Sequence, residues 1–191
     1  GVVASVVSTV LGTMAGYALH RFKTRVLPIL VLAPIAIPEI LMGVSLLIFF
    51  VMLNLTLGLI SIILAHVAFC IGFVAIVVRA RLAGMDESLT EAARDLGANP
   101  AQAFLRVTLP LSKPGILAGA VLIALPMFGD YYTPDLVSAS TQTNLIGNQI
   151  DQFTRQGSQK EVGAVLTLVL AYICAEALFG AVERLQYQAV A

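Results

Sequence analysis

Charge is scarce in this sequence. Only 12% of its 191 residues are Asp, Glu, Lys or Arg, and the eleven basic residues match the eleven acidic ones, so there is no net charge. A soluble domain normally carries roughly twice that charged fraction. With 59% hydrophobic residues, a soluble fold could not cover its own surface, so the composition implies an integral membrane protein. Neutrality and the lack of a basic tail argue against a nucleic-acid partner. Cysteine occurs twice, as Cys70 and Cys174, each inside an apolar run. Two such residues give no disulfide framework and no metal-ligand spacing, and they read as small hydrophobes within helices. No G-x-x-x-x-G-K-[ST], HExxH or GxSxG segment occurs, which removes the familiar nucleotide, zinc and serine-nucleophile signatures and leaves no catalytic or metal site to nominate. The opening GVVASVVSTVLG has neither a start Met nor a basic leading region, so it reads as the interior of a longer protein and not as a signal peptide.

What the sequence does have is apolar runs. Five spans are expected: Gly1 to about Leu19, a run within Val26–Leu53, about Leu59 to Val78, about Pro114 to Tyr132, and about Glu161 to Val182, followed by a polar tail. In the first span, Ser8, Gly12 and Gly16 recur at a spacing that lets another helix approach closely; Gly115 and Gly119 repeat it in the fourth. Pro28, Pro34 and Pro38 crowd the start of the second run, predicting an irregular or kinked entry with regular helix from near Pro38. A polar loop, 133–160, contains LIGNQIDQF (145–153), which can form an amphipathic helix lying on the membrane or capping a cavity. Arg21, Lys23, Arg25, Arg79, Arg81, Arg94, Arg106, Lys113 and Arg184 fall on one side of this arrangement, and Arg155 and Lys160 on the other. The positive-inside rule therefore puts the 79–113 insert in the cytoplasm and the N-terminus outside.

The insert is the longest polar interruption and reads as two short helices. Ser88-Leu89-Thr90-Glu91 has the form of a capping box. Leu89, Ala92, Ala93 and Leu96 give the first helix one apolar face, and Gly97 supplies a left-handed stop. Asn99 can cap the second helix, with Pro100 at its first position and Gln102 completing the box. Leu109-Pro110 is expected to end it. Such a unit is a rigid knob, and Leu96 and Phe104 call for a partner groove.

The knob's residues carry a resemblance. Glu91-Ala92-Ala93, three residues, Gly97, nine residues, Val107, one residue and Leu109-Pro110 resemble the EAA loop of ABC importer permeases. The only departure is Val107 at a position often occupied by Ile, and the surrounding spans fit the same family over nearly all of the chain. The resemblance implies an all-α integral membrane protein forming one transmembrane permease domain over 1–191, with a coupling loop at 79–113 and a periplasmic loop at 133–160. It implies that Leu96, Gly97 and Ala98 enter a cleft on an ATPase subunit and that Glu91 holds the loop's geometry. It also implies no enzyme in this chain, ATP and Mg in the partner ATPase dimer, a second permease subunit, a periplasmic solute-binding protein, membrane lipid around the spans, and a bacterial inner membrane. The family's first span is missing, in keeping with a start inside a longer protein. Within the family, the stretches beginning PILVLAPIAIPEI and LAHVAFCIGFVAI look like one of the two spermidine/putrescine permease subunits, and LPLSKPGILAGAV onward looks more like the other. The change falls near 109–121, leaving a divergent and a recombined or constructed chain as alternatives.

A polyamine is a chain of ammonium groups, so its path needs carboxylate or carbonyl oxygens and aromatic faces. Isolated carboxylates within spans are functional candidates. Glu39 is expected near mid-membrane, and Asp130, Tyr131, Tyr132 and Asp135 cluster at the outer mouth of the fourth span. The alternatives are a structural hydrogen bond for Glu39 and ordinary interfacial anchoring for the tyrosines. His66 reads as a satisfied polar residue, with a proton relay as the minor alternative. A permease for another small solute (sulfate, iron or another ion) and an ion-gradient-driven secondary transporter remain as alternative functions. The second would favour repeated halves, and it leaves the 86–110 pattern unexplained.

Overall fold

The structure, a computed structural model, describes residues 1–22, 24–138, 143–155 and 160–190, without the side chains at 181, 182 and 184–190. Lys23 and Arg184, used in the charge count, and 139–142 and 156–159 of the expected loop lie outside what is described. All regular structure among the described residues is helical: α1 (Val2–Arg21), α2 (Val26–Ala36), α3 (Glu39–Met52), α4 (Leu59–Ala83), α5 (Ser88–Asp95), α6 (Pro100–Ala103), a π-turn (Phe104–Thr108), α7 (Leu109–Gly129), α8 (Tyr132–Val137), α9 (Ile146–Arg155) and α10 (Lys160–Val190). Four helical stretches are long and apolar enough to cross a bilayer, at Val2–Arg21, Leu59–Ala83, Pro100–Gly129 and Lys160–Gly180, and the pair α2–α3 makes a fifth if its two limbs count as one span. The all-α fold implied by the resemblance is the fold observed among the described residues.

α4 is the mast. Its residues Val67, Cys70, Val74, Val78 and Leu82 form one core with Ala4 of α1 and Ile123 and Met127 of α7. Its outer end forms a second core, in which Ile62 and Ala65 pack with Phe50 of α3 and Val137 of α8. The small-residue face of α1 works as its spacing predicts: Ser8, Gly12 and Gly16 are all buried. A Cβ at Gly12 would stand 2.5 Å from Val74 Cβ, and one at Gly16 would stand 2.8 Å from the Ala75 carbonyl oxygen. The helices therefore touch backbone to backbone. Gly12→Leu is expected to cost about 1–3 kcal/mol through overpacking, seen as a lower midpoint of thermal unfolding in detergent, whereas Val10→Leu on the exposed side of α1 leaves it unchanged.

The second run has the irregular entry expected of it, with regular helix from just past Pro38, and the break is sharper than a kink. Its limbs meet at 108° between Ala36 and Glu39, because Pro38 supplies no amide hydrogen and keeps Ile37 extended, at φ −90° and ψ 131°. Glu39 therefore sits at the first turn of α3, on the bend and not midway along a straight helix. Leu109-Pro110 does not end the second knob helix. Residues 100–129 run as one long helical stretch, with the π-turn at Phe104–Thr108 just before Pro110. In the wider turn the Leu109 N–H donates back to the Phe104 carbonyl, and the looser backbone accommodates the Pro110 ring. The fourth span accordingly begins before Pro114. The last apolar stretch ends at Gly180, close to the expected Val182, and the polar tail after it continues α10 as helix to Val190. The amphipathic segment at 145–153 does form a helix, α9.

Candidate functional site

Two regions hold the residues singled out by sequence. The first is the knob at the end of α4. α5 does not start from a Ser88 capping box. Its N-cap is Glu87, without a side-chain cap, and Asp86 Oδ1 instead accepts from the Ser88 N–H at 3.0 Å. The helix starts one residue earlier than the box requires, so Ser88 is already inside it and the Glu91 N–H bonds to the Glu87 carbonyl. The bond from the Ser88 N–H holds the exposed Asp86 carboxyl below its usual value. A lowered folded-state value means that the bond's contribution is complete above the ordinary Asp range and is lost as pH falls through the lowered value. The protection of the Ser88 amide against hydrogen exchange, relative to its intrinsic rate at each pH, should therefore fall on acidification through that range, and Asp86→Asn should remove the dependence.

The stop and the second cap form as expected. Gly97 has φ +92°, a left-handed conformation that disfavours any side chain, and there is open space around it. The Ala98 N–H donates to the Ala93 carbonyl at 3.0 Å, and the Leu96 N–H to Ala92 at 3.1 Å. Asn99 Oδ1 accepts from the Gln102 N–H at 2.9 Å, and Gln102 Oε1 accepts from the Asn99 N–H at 3.0 Å, so this capping box is complete. Glu91 and Ala92 are exposed and Ala93 is half-buried. Leu96, 90% exposed, is the bare tip. Phe104 does not face outward as expected: its ring packs on Tyr17 of α1 with centroids 4.5 Å apart, tying the knob's root to the bundle. Leu109 and Pro110 lie in the first turn of α7, at that root.

The second region is a cavity of about 150 Å³. One face of α4 supplies His66, Phe69, Cys70 and Phe73, which share a side because they recur at helical spacing. Across from them lie Ile123, Pro126 and Met127 of α7 and Asp130 just after it, and Glu39 enters from the α2–α3 bend. Sequence reasoning gave Glu39 and Asp130 as separate candidates; the fold brings them to one cavity. It also adds His66, whose role was invisible because its partner lies on another helix. His66 Nε2 stands 3.0 Å from Asp130 Oδ2, with the two side chains only 7% and 10% exposed. The approach lacks hydrogen-bond alignment, so both buried atoms keep unused capacity. His66 Nδ1 lies 2.9 Å from the Ile62 carbonyl oxygen. A carbonyl only accepts, so Nδ1 carries a hydrogen. Nε2 and Oδ2 therefore face each other at 3.0 Å, sealed from solvent and without an aligned hydrogen bond.

The rest of the 130–135 cluster is occupied otherwise. Asp130 Oδ1 accepts from the N–H groups of Tyr132 and Thr133, at 2.9 and 3.3 Å, which fixes the start of α8. The Tyr131 and Tyr132 rings stack with centroids 4.3 Å apart. Arg155 of α9 lies 5.7 Å from the Tyr131 ring centroid and donates to its hydroxyl at 3.3 Å. Asp135 accepts from Asn148 Nδ2 at 2.6 Å, and the same amide group donates to the Tyr131 carbonyl at 3.1 Å. α9 thus clamps this corner with its own cation and amide. A Cβ at Gly147 would stand 2.5 Å from the Asp130 carbonyl oxygen, so the clamp closes directly onto the Asp130 backbone. No group of His, Cys, Asp and Glu able to hold a metal ion is found among the described residues.

Comparison with known proteins matches residues 8–190 to the model of a family described as the binding-protein-dependent transport system inner membrane component. The putrescine transport system permease protein PotI of Escherichia coli K12 is 34% identical over 180 residues, which is 89% of this chain and 64% of PotI. The spermidine/putrescine transport system permease protein PotC of the same strain is 31% identical over 166 residues, 85% of this chain and 62% of PotC. The PotB protein of Haemophilus influenzae is 35% identical over 120 residues, 63% of this chain and 42% of PotB. The chain thus spans less than two thirds of the length of these relatives. The match to PotI covers 89% of the chain and so extends to both sides of the 109–121 region where the resemblance changes character. Among solved structures, a chain of an inward-facing MetNI methionine ABC transporter superposes with a TM-score of 0.80 at 22% identity, covering 97% of this chain and 89% of that one. That likeness concerns the fold alone. With the family model matched over residues 8–190, the chain belongs to the binding-protein-dependent transport system inner membrane component family.

Proposed function

We propose that this chain is the permease subunit of an ATP-binding-cassette importer of a bacterial inner membrane, and that its cargo is a polyamine of the putrescine/spermidine class. The observation that carries the reading is the knob. It is capped at Asn99, stopped at a positive-φ Gly97, anchored through Phe104 on Tyr17, and ends in a leucine left almost wholly in solvent. An exposed apolar tip on a rigid support fits a socket on another protein. Leu96, Gly97 and Ala98 enter that socket, on a separate ATPase subunit that binds ATP and Mg. Glu91, at the entrance of the loop, lines a cavity at the knob's root together with Arg21 and Arg94. Closure of an ATPase dimer moves the knob, and through α4 and α7 it moves the walls of the cavity that holds Glu39, His66 and Asp130. A second permease subunit completes the path, a periplasmic solute-binding protein delivers cargo, and lipid covers the remaining apolar faces.

The polyamine reading rests on the relatives' cargo together with the cavity's chemistry: two carboxylates and two phenylalanine rings, with no Lys or Arg in the lining. The test of the class is co-purification of the permease with a candidate ABC ATPase subunit. Association that survives detergent extraction supports the reading, and ATP-independent uptake by the permease alone overturns it.

A further inference from the structure

α10 is the least enclosed of the four long apolar stretches. One side of it packs on the bundle. A Cβ at Gly163 would stand 2.8 Å from Thr154 Oγ1 of α9, and one at Gly129 of α7 would stand 3.9 Å from Leu170 Cδ2. The opposite side carries Val165, Leu168, Tyr172, Glu176 and Phe179, which share one stripe at helical spacing and are all exposed.

This stripe is not made for lipid tails. Tyr172 and Glu176 lie one turn apart within the apolar stretch Lys160–Gly180, roughly 18 and 24 Å along α10 from Lys160. Tyr172 is 67% exposed, and among the described residues neither it nor Glu176 has a hydrogen-bond or ion-pair partner. Side chains on a helix lean toward its N-terminus. Glu176 therefore leans toward Tyr172 and the middle of the stretch, away from the nearer end at Gly180, and does not reach water by extending. A carboxylate and a phenol in hydrocarbon lack the hydrogen bonds that offset their desolvation. The outer face of α1 is the contrast: Val3, Val6, Val7, Val10 and Met14 leave it apolar, as lipid contact requires.

Resting on the reading of this chain as one of two permease subunits, we propose that the 165–179 stripe of α10 is covered by a transmembrane helix of the second permease subunit, with a hydrogen-bond-donating side chain of that helix level with Glu176. Depth and chemistry choose the occupant. Lipid tails offer no donor. The ATPase and the solute-binding protein work outside the bilayer, so the second permease is the partner that reaches this level. Glu176 accepts from the donor, Tyr172 adds its hydroxyl and its aromatic area to the same contact, and Leu168 and Phe179 flank it with apolar surface.

The test co-expresses the permease with a differently tagged second copy of itself, a candidate second permease subunit and the ATPase. A photoreactive benzoylphenylalanine replaces Leu168 on α10, Val10 on α1 or Ile48 on α3, one at a time; all three are apolar and exposed. Illumination is expected to join the Leu168 variant to a permease partner and the Val10 variant to none. Glu176→Leu should weaken association of the two permeases in liposomes, read by energy transfer between them, roughly 3- to 10-fold. Glu176→Gln, which keeps an acceptor, should retain most of the association, and the unfolding midpoint of the permease alone should not move in either variant. A partner joined at Val10 or Ile48 but not at Leu168 overturns this face alone. No permease joined at any of the three positions overturns the two-subunit reading as well. Association indifferent to Glu176→Leu while uptake falls would place the stripe on the path and overturn the contact. A fall in the midpoint of the permease alone would assign Glu176 to this chain's own fold and overturn it too.

Discussion

Leu96→Glu in the assembled transporter is expected to abolish ATP-driven uptake by releasing the ATPase subunit, while the membrane bundle keeps its unfolding midpoint. Leu96 contributes nothing to the bundle's own core, since it is 90% exposed. Burying a leucine in a partner's socket stabilises the complex by about 1.5–3 kcal/mol, which corresponds to a roughly 10- to 100-fold loss of affinity for Leu96→Ala. A carboxylate placed in an apolar socket adds a desolvation cost, so Leu96→Glu is the stronger variant. Gly97→Leu is expected to reach the same end by another route. At φ +92° any Cβ strains the turn, by about 1–2 kcal/mol. The space around Gly97 within this chain is open, so a bulky side chain there meets nothing until the partner arrives. Affinity of the ATPase for the permease in detergent, measured beside the thermal midpoint of the permease alone, checks both variants. A fall in midpoint matching the loss of affinity would mean that the knob is part of the bundle and not a docking surface.

Asp130→Asn is expected to have the opposite signature: the ATPase stays bound and uptake stops. The substitution leaves His66 buried without its carboxylate partner, and breaking such a pair costs about 3–5 kcal/mol. Part of the effect is therefore on stability, and the double variant His66→Gln/Asp130→Asn resolves it. Two neutral amides at 3.0 Å can hydrogen bond, so the double variant should regain most of the lost unfolding midpoint while uptake stays at least about 100-fold below wild type. Asp135→Asn serves as the control. Its carboxylate is engaged by Asn148 within the α8–α9 clamp, so it should weaken the clamp while retaining uptake. If Asp135→Asn stopped uptake and Asp130→Asn did not, the path would run through the outer tyrosines and not through the α4–α7 cavity.

The features legible in the sequence are local ones. Asn99-Pro100-x-Gln102 contains its whole capping box within four residues, and Gly97 needs only its own backbone to end a helix, so both appear where the sequence places them. The Ser8–Gly12–Gly16 face was legible because a fixed helical spacing is enough to make a groove. Ser88 failed because the helix begins one residue earlier, with Glu87 at its cap, which puts Ser88 inside the first turn. The prolines announced a break at 34–38 but not its 108° angle, which depends on how α2 packs along α4 while α3 turns toward α8. Leu109-Pro110 read as a helix end because a straight α-helix cannot absorb that proline, whereas a π-turn can. The His66–Asp130 pair was not legible at all. Each residue taken alone is an isolated polar group in an apolar run, and only the packing of α4 against α7 makes them partners. The same packing separates Asp130 from its neighbour Asp135, which sequence proximity had grouped with it.

The central claim is that this chain is an ATPase-driven path for an organic cation. The measurement that tests it most directly is uptake of radiolabelled putrescine into proteoliposomes containing the full-length permease, its partner permease and the ATPase, with binding protein outside and ATP inside. The account predicts uptake that requires ATP, that disappears with Leu96→Glu through loss of the ATPase, and that disappears with Asp130→Asn while ATPase remains bound. Uptake that proceeds without ATP, or that is indifferent to both substitutions, would contradict it.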